Sequence, residues 1–262
     1  LMFLKDTRFF PDPRGAERFR RQTADAVRRA DAVVAVSEFT RGALIEAFGL
    51  PPDRVRVIPN GVGPEFRPAA ERDAAQRVKA GYGIRGRYIL FIGYLEPKKN
   101  LRRLLQAFAR VRNRLPEPHD LVLAGPGGPS LDEVRRTASE LSLGEGVVLT
   151  GHVPPEDLPF LYRGASLFVF PSLYEGFGIP PLEAMACGTP VVVSKSTSLP
   201  EVVGSAGVLV DPLDTDDIAR GIFEVLADPD LRATLAKRGI ERAREFSWDR
   251  TARQTLRLYE AL

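Results

Sequence analysis

Short apolar runs rich in β-branched residues recur along the chain, and most are followed by a stretch of helical periodicity. From residue 88 onward the runs are Tyr88–Gly93, Leu121–Gly125, Val147–Gly151, Leu167–Ser172, Pro190–Ser194 and Val208–Asp211. Runs that are apolar without alternation are the pattern of parallel strands buried on both faces by helices. Six such strands with helices between them predict one complete doubly wound, Rossmann-like α/β domain. The helix after the first run is the clearest. Leu101, Leu104, Leu105, Phe108 and Val111 share one face, while Arg102, Arg103, Arg110 and Arg112 fall on others. Asn100 stands before it as the expected N-cap. Toward the far end, Thr215–Leu226, Leu231–Glu245 and Asp249–Leu262 are three more helical patterns, with Trp248 at the joint between the last two.

The first 68 residues have a different rhythm. They predict an Arg-rich amphipathic helix from about Gly15 to Arg29, a strand at Ala32–Ser37, a helix at Glu38–Phe48 and a strand at Val55–Pro59. Two strands do not make a stable sheet by themselves. This segment is therefore expected to be the closing part of a second α/β domain whose beginning is missing. The polar, Pro-containing stretch Gly61–Asp73 is the expected interdomain linker. The division that follows is residues 1–68, 69–245 and 246–262, with the last helix packing back toward the first segment.

Composition narrows the class without naming a function. The chain has 262 residues, 44% of them hydrophobic and 27% charged, a globular balance. Cys187 is the single cysteine, and Cys, His and acidic residues do not cluster at metal-ligand spacing, so no disulfide framework or zinc site is expected. A reducing, cytosolic setting fits this usage. No apolar run approaches the roughly 18 residues of a membrane span, and Leu1–Asp6 lacks the basic region and cleavage site of a signal peptide. Residues 1–68 carry 12 Lys+Arg against 9 Asp+Glu, and residues 69–262 carry 25 against 25, so the net +3 sits in the first quarter. Arg outnumbers Lys by 31 to 6, which reflects a compositional habit more than an anionic partner. With no basic stripe interleaved with aromatics, nucleic acid is not an expected partner.

The stretch richest in chemistry runs from Pro171 to Pro190. It follows a buried strand and opens a helix, so Glu175 stands at the strand's carboxyl end, where ligands bind in such sheets. Glu183 follows about two helical turns later. Between them Gly176 and Gly178 remove side chains, leaving backbone N–H groups open to an anionic or hydroxylated ligand at a helix start. Two carboxylates and free amides suit a polyhydroxylated, phosphorylated ligand. The blander alternative makes Glu175 a dipole-stabilised helix-start carboxylate and Glu183 a solvated surface group. A second loop, Gly93 to Asn100, offers a strand-ending glycine and the pair Lys98 and Lys99 before a helix. It could hold a diphosphate, or it is a solvated turn. Gly151 ends a third strand before His152 and Val153, where a planar base could lie against exposed backbone. His152 alone is more often a loop histidine than a catalytic base.

Taken together, these stretches resemble the retaining, GT-B fold glycosyltransferases of family 4. The motifs Phe91 to Leu101, Leu123 to Gly127, Val148 to Val153 and the Glu175-to-Glu183 block occur in the family's order, and the likeness runs over nearly the whole chain. The resemblance implies a GT-B architecture whose complete C-terminal Rossmann-like domain, residues 69–245, binds a nucleotide-sugar donor. Residues 1–68 would be a remnant of the acceptor-binding domain. It implies Lys99 on the diphosphate, Glu175 near the sugar hydroxyls and Glu183 on the ribose. Gly176, Phe177, Gly178 and Ile179 belong to the loop whose amides meet sugar and phosphate, and Lys99 and Glu175 are the residues implied to act in catalysis. No metal and no cofactor are implied. Tyr94 stands where many members carry an Arg that adds a second diphosphate contact, so either Lys98 supplies that charge or the grip is weaker.

The expected activity is transfer of a hexose or deoxyhexose, with retention, from a nucleotide diphosphate sugar to a saccharide or lipid-linked acceptor. The Glu175-to-Glu183 block resembles bacterial mannosyl- and rhamnosyltransferases, so GDP-mannose is the first donor to consider, with UDP- and dTDP-sugars behind it. Two alternatives remain open: a nucleotide-sugar binding module without transfer activity, and a GT-B fold sugar-nucleotide epimerase. The expected place is the cytoplasm. Arg14, Arg18, Arg20, Arg21, Arg28 and Arg29 leave room for peripheral contact at the inner membrane face, although a solvated basic helix face is the reading favoured by its thin apolar side.

Overall fold

A computed structural model describes residues 13–68 and 72–262. Leu1–Asp6 and residues 69–71 of the expected linker lie outside the described residues. The chain forms α1 (Pro13–Arg29), β1 (Val33–Ala35), α2 (Glu38–Phe48), β2 (Val55–Val57), α3 (Arg72–Gly81), β3 (Arg87–Ile92) and α4 (Leu101–Val111). It continues through β4 (His119–Ala124), α5 (Leu131–Glu140), β5 (Val147–Gly151), α6 (Leu158–Gly164), β6 (Leu167–Phe170), α7 (Ile179–Ala186) and β7 (Val191–Ser194). It closes with α8 (Leu199–Val203), β8 (Val208–Val210), α9 (Thr215–Ala227), α10 (Pro229–Ala243) and α11 (Trp248–Glu260).

Six parallel strands form one sheet in the order β5-β4-β3-β6-β7-β8. Tyr88 to Phe91, Leu167 to Phe170 and Val191 to Val193 have no exposed surface, because helices cover both faces of these central strands. Strand order reverses between β3 and β6, where Ile89 pairs with Leu167 and Leu90 with Phe168. Chains leave neighbouring strands there toward opposite faces, which opens a crevice at their carboxyl ends. The six strands and their helices are the doubly wound arrangement read from the apolar runs.

In the first segment β1 and β2 pair in parallel, with Val33 opposite Val55. Val27, Ala35, Leu44, Leu50 and Val55 make a small separate core. The last helix returns to this segment: Thr251 Oγ1 donates to Pro59 O at 2.6 Å, and Val62 N donates to Phe246 O at 3.2 Å. No helix among the described residues is long and apolar enough to cross a membrane.

Two local expectations are corrected. Asn100 occupies the N-cap position of α4 but does not cap it. Its φ is 61°, and its Nδ2 reaches back to donate to Pro171 O at 3.0 Å and Pro212 O at 2.7 Å. Those two prolyl carbonyls are buried acceptors with no strand partner for this N–H, and satisfying them outweighs a cap. Helix α10 begins at Pro229 rather than Leu231, because Asp228 Oδ1 accepts from Asp230 N and Leu231 N, each at 2.9 Å, and proline suits the first helical position.

Candidate active site

The carboxyl ends of β3, β4 and β5 each finish in a glycine, and hydrogen bonds tie them in a row. Gly93 N donates to Ala124 O and Gly125 N to Gly151 O, both at 2.9 Å. Gly125, at φ 141°, passes so close to Gly93 that any Cβ would collide with the Gly93 carbonyl. Gly151, at φ 69°, has open space where its Cβ would be. Beside it His152 is exposed and Val153 buried. The row makes a smooth backbone floor for the crevice.

Lys99 rises beside that floor. A short 3-10 turn at Pro97–Lys99 turns the chain into α4, and it buries Lys99. The Lys99 Nζ donates to Glu175 Oε1 at 2.6 Å, with side chains only 10% and 13% exposed, and it lies 4.8 Å from the centre of the Phe170 ring. The lysine and the glutamate, assigned separate roles by resemblance, are thus one largely desolvated ion pair. Removing either partner would leave a polar group buried at this depth without its counterpart, which is costly. Lys98 is turned elsewhere: it pairs with Glu96 at 3.2 Å, while its carbonyl accepts from Leu173 N. Tyr94 is half exposed, with its ring against Gly128.

Glu175 stands on the loop between β6 and α7, and that loop is held from below by hydroxyls. Thr197 Oγ1 accepts from Glu175 N at 3.2 Å, and Ser198 Oγ lies 3.0 Å from Glu175 O and 2.8 Å from Phe177 O. Thr197 has φ 60°, a strained conformation for a β-branched residue. Among the described residues no carbonyl or side chain takes the N–H groups of Gly176, Phe177 or Gly178. These amides and the start of α7 at Ile179 form a positive backbone edge next to the ion pair.

Glu183 lies on α7 with different partners. Its Oε2 accepts from the buried Tyr162 hydroxyl at 2.7 Å. Burial pushes its carboxyl up to about 7, Glu65 adds to the rise, and the Tyr162 hydrogen bond opposes it. The same burial and the Glu183 charge hold the Tyr162 phenol well above its ordinary value. A solvated surface role for Glu183 is therefore corrected: it is a half-buried carboxyl poised near neutrality. Gly93, Lys99, Glu175 and the Gly176–Gly178 edge come together, and Gly151 joins them through Gly125. Glu183 shares no hydrogen-bond partner with Glu175. A cavity of about 950 Å³ lined by Tyr82, Arg85, Arg112 and His119 opens at the opposite, amino ends of the strands and contains none of these groups.

Tyr162, Thr197 and Ser198 were not visible as site residues in the sequence. Nothing in their spacing marks them.

The doubly wound sheet, with a buried Lys–Glu pair and a row of free amides at its switch-point crevice, is of the GT-B fold class. The comparisons agree with that class. The sequence model of the glycosyl transferases group 1 family matches residues 75–242, and that of glycosyltransferase family 4 matches residues 5–66. The chain belongs to the group 1 glycosyltransferase family. It is similar to the O-antigen chain mannosyltransferase B of Escherichia coli, 39% identical over 234 residues, which cover 89% of this chain and 61% of that protein. It is also similar to the serotype-specific mannosyltransferase WbdA of Escherichia coli, 36% identical over 254 residues, covering 95% of this chain and 31% of that one. Among solved structures, the sucrose-phosphate synthase of Thermosynechococcus elongatus superposes with a TM-score of 0.80 at 30% identity over 94% of this chain and 61% of that one. The chain thus spans between about a third and three fifths of the length of these relatives.

Proposed function

We propose that the chain is the donor-binding part of a retaining glycosyltransferase that moves a hexose or deoxyhexose, mannose foremost, from a nucleotide diphosphate sugar to a saccharide or lipid-linked acceptor. The observation that carries this reading is the Lys99–Glu175 pair set against the unpartnered amides of Gly176, Phe177 and Gly178. In such a transfer the bond from the anomeric carbon to the diphosphate breaks and negative charge gathers on the leaving phosphate. Cations and oriented amides close to that phosphate lower the barrier. In this reading Lys99 shares its charge between Glu175 and the diphosphate, while the loop amides meet phosphate and sugar oxygens. Glu175 accepts sugar hydroxyls, and Glu183 accepts the ribose hydroxyls once it has lost its proton. Gly151, His152 and Val153 give the base a flat backbone ledge.

Similarity to two mannosyltransferases supports mannose as the sugar, and GDP as its carrier rests on the motif resemblance of the Glu175-to-Glu183 block. The test is a thermal-shift panel of GDP-, UDP- and dTDP-sugars, followed by a transfer assay with the donor that shifts most, since a ligand that binds only the folded state raises its melting temperature. GDP-mannose is expected to lead. A donor that binds without any transfer would favour the binding-module alternative, and interconversion of free nucleotide sugars would favour the epimerase. No shift with any nucleotide sugar would refute the reading.

A further inference from the structure

The amino end of α2 is satisfied in an unusual way. Of the first four N–H groups in the helix, Arg41 N makes the first intrahelical bond, to Ser37 O at 2.9 Å, and Thr40 N is capped by Ser37 Oγ at 3.0 Å. The other two leave the segment altogether. Glu38 N donates to Glu201 Oε2 at 2.8 Å and Phe39 N to Glu201 Oε1 at 2.7 Å. A carboxylate from α8, more than 160 residues away in sequence, thus completes the cap of α2 with both oxygens. Its charge also faces the positive end of the helix dipole.

The same helix end grips the loop of the candidate active site. Ser37 Oγ and Thr40 Oγ1 both lie within donor distance of Gly176 O, at 2.7 and 2.9 Å. Each hydroxyl has one proton and the carbonyl has two lone pairs, so the two bonds are compatible while Ser37 Oγ still accepts from Thr40 N. Gly176 O at 2.7 Å is a nearer acceptor for the Ser37 proton than Thr40 Oγ1 at 3.0 Å. Phe39 and Tyr174 add an edge-to-face ring contact at 5.5 Å. The peptide unit is planar and trans, so a Gly176 carbonyl aimed at α2 forces the Phe177 N–H to point away from α2. One of the free amides of the site therefore takes its direction from the first segment.

We propose that Ser37, Thr40 and Glu201 form a latch that fixes the Gly176–Phe177 peptide, making the three of them positioning residues for the donor loop. The latch rests on the nucleotide-sugar reading for its functional consequence but not for its existence. It ties occupancy of the loop to docking of α2: a ligand that draws the Phe177 amide toward itself strengthens the orientation that Ser37 and Thr40 require.

The test compares Thr40→Val, which keeps the shape and loses the hydroxyl, with Thr40→Ser, which restores it, and with Glu201→Gln, which keeps one good acceptor but not the charge. Exchange of the hydrogen-bonded Glu38 and Phe39 amides and backbone N–H order parameters at Gly176–Gly178 are read in the full chain, and affinity is read for GDP-mannose and for GDP. Thr40→Val is expected to lower the order parameter of the Phe177 amide from the rigid range, about 0.85, to below about 0.6, and to weaken GDP-mannose at least fivefold, with Thr40→Ser returning both toward the parent. Glu201→Gln is expected to speed exchange at Glu38 and Phe39 at least tenfold. A lowered Phe177 order parameter in Thr40→Val from a parent that binds no nucleotide sugar would uphold the latch and sink the donor reading. Unchanged order at Phe177, unchanged exchange at Glu38 and Phe39 and unchanged affinity in both Thr40→Val and Glu201→Gln, from a parent that binds GDP-mannose, would overturn the latch and leave the donor reading standing.

Discussion

Replacing Glu183 by Gln is expected to stabilise the protein and weaken its ligand, and the two effects have different pH dependences. In the folded chain burial holds the Glu183 proton up to about pH 7, whereas an ordinary glutamate releases it at 4.5. Between those values the folded state binds more protons than the unfolded state, so stability falls as pH rises through the window and stays reduced above it. At about 1.4 kcal/mol for each pKa unit, the loss has a ceiling of about 3 kcal/mol. Glutamine cannot ionise, and its Oε1 still accepts from the Tyr162 hydroxyl that now donates to Glu183 at 2.7 Å. The variant should match the parent near pH 4.5 and exceed it by up to that ceiling at pH 8.5, read as urea midpoints by far-UV circular dichroism. His119, whose pKa burial lowers, titrates in both proteins and cancels in the comparison. Ligand binding should move the other way. Glutamine still offers a neutral acceptor, so exchanging a charge-assisted ribose bond of about 1.5–3 kcal/mol for a neutral one of about 0.5–1.5 kcal/mol should cost roughly 1–1.5 kcal/mol, about 5- to 13-fold in nucleotide affinity at pH 8.5. A stability gain that is the same at both pH values would refute the buried-proton account. A gain confined to high pH with unchanged nucleotide affinity would refute the ribose assignment alone.

Other substitutions probe the rest of the crevice. Lys99→Ala leaves Glu175 buried without a partner and should cost about 3–5 kcal/mol in chemical denaturation, whereas Lys98→Ala, which breaks a more accessible pair with Glu96, should cost no more than about 1 kcal/mol. Lys99→Ala should also weaken GDP far more than guanosine in calorimetric titration. Gly125→Ala meets both the Gly93 carbonyl and a φ of 141°, so it should lose more than about 3 kcal/mol, while Gly151→Ala, with open space, should pay only the left-handed backbone cost of about 1–2 kcal/mol. Asn100→Ala strips the donor from the Pro171 and Pro212 carbonyls and should lower stability by about 2–5 kcal/mol in urea.

The six-stranded sheet was legible because its central strands β3, β6 and β7 are buried on both faces as unbroken apolar runs, and the partly covered edge strands β5 and β8 keep short β-branched runs of the same kind. Helix α2 was legible to the residue, since Ser37 caps it and Gly49, at φ 63°, ends it. The start of α10 was missed by two residues because Asp228 and Pro229 set it by local chemistry while periodicity begins only at Leu231. Asn100 was misread for a related reason. A residue type that favours caps was found at a cap position, and only the fold brings the Pro171 and Pro212 carbonyls to it from 71 and 112 residues away.

The same distinction runs through the candidate site. Glycines, lysines and glutamates of the site could be found along the chain, because they fall in the strand-to-helix loops that follow recognisable strands or, for Glu183, in the helix just after one. Their mutual states could not. Whether Lys99 faces solvent or Glu175 depends on the depth of a crevice formed by β3 and β6, and whether Glu183 is ionised depends first on its burial and then on Tyr162 and Glu65, which lie elsewhere in the chain. Partnership of this kind is set by burial, and burial is a property of the assembled sheet. The adjacent Lys98 and Lys99, told apart in the sequence only by resemblance, are told apart physically by the 3-10 turn, which sends one toward Glu96 and buries the other against Phe170. A ligand entering this crevice meets a cation already committed to a carboxylate, so its phosphate must compete for Lys99 with Glu175. Neutralising that competitor by Glu175→Gln should therefore tighten bare GDP even as it loosens the grip on the sugar. Weaker GDP binding in Glu175→Gln, measured at the same ionic strength, would show that the pair acts as a single structural unit and that Lys99 is not shared with the phosphate.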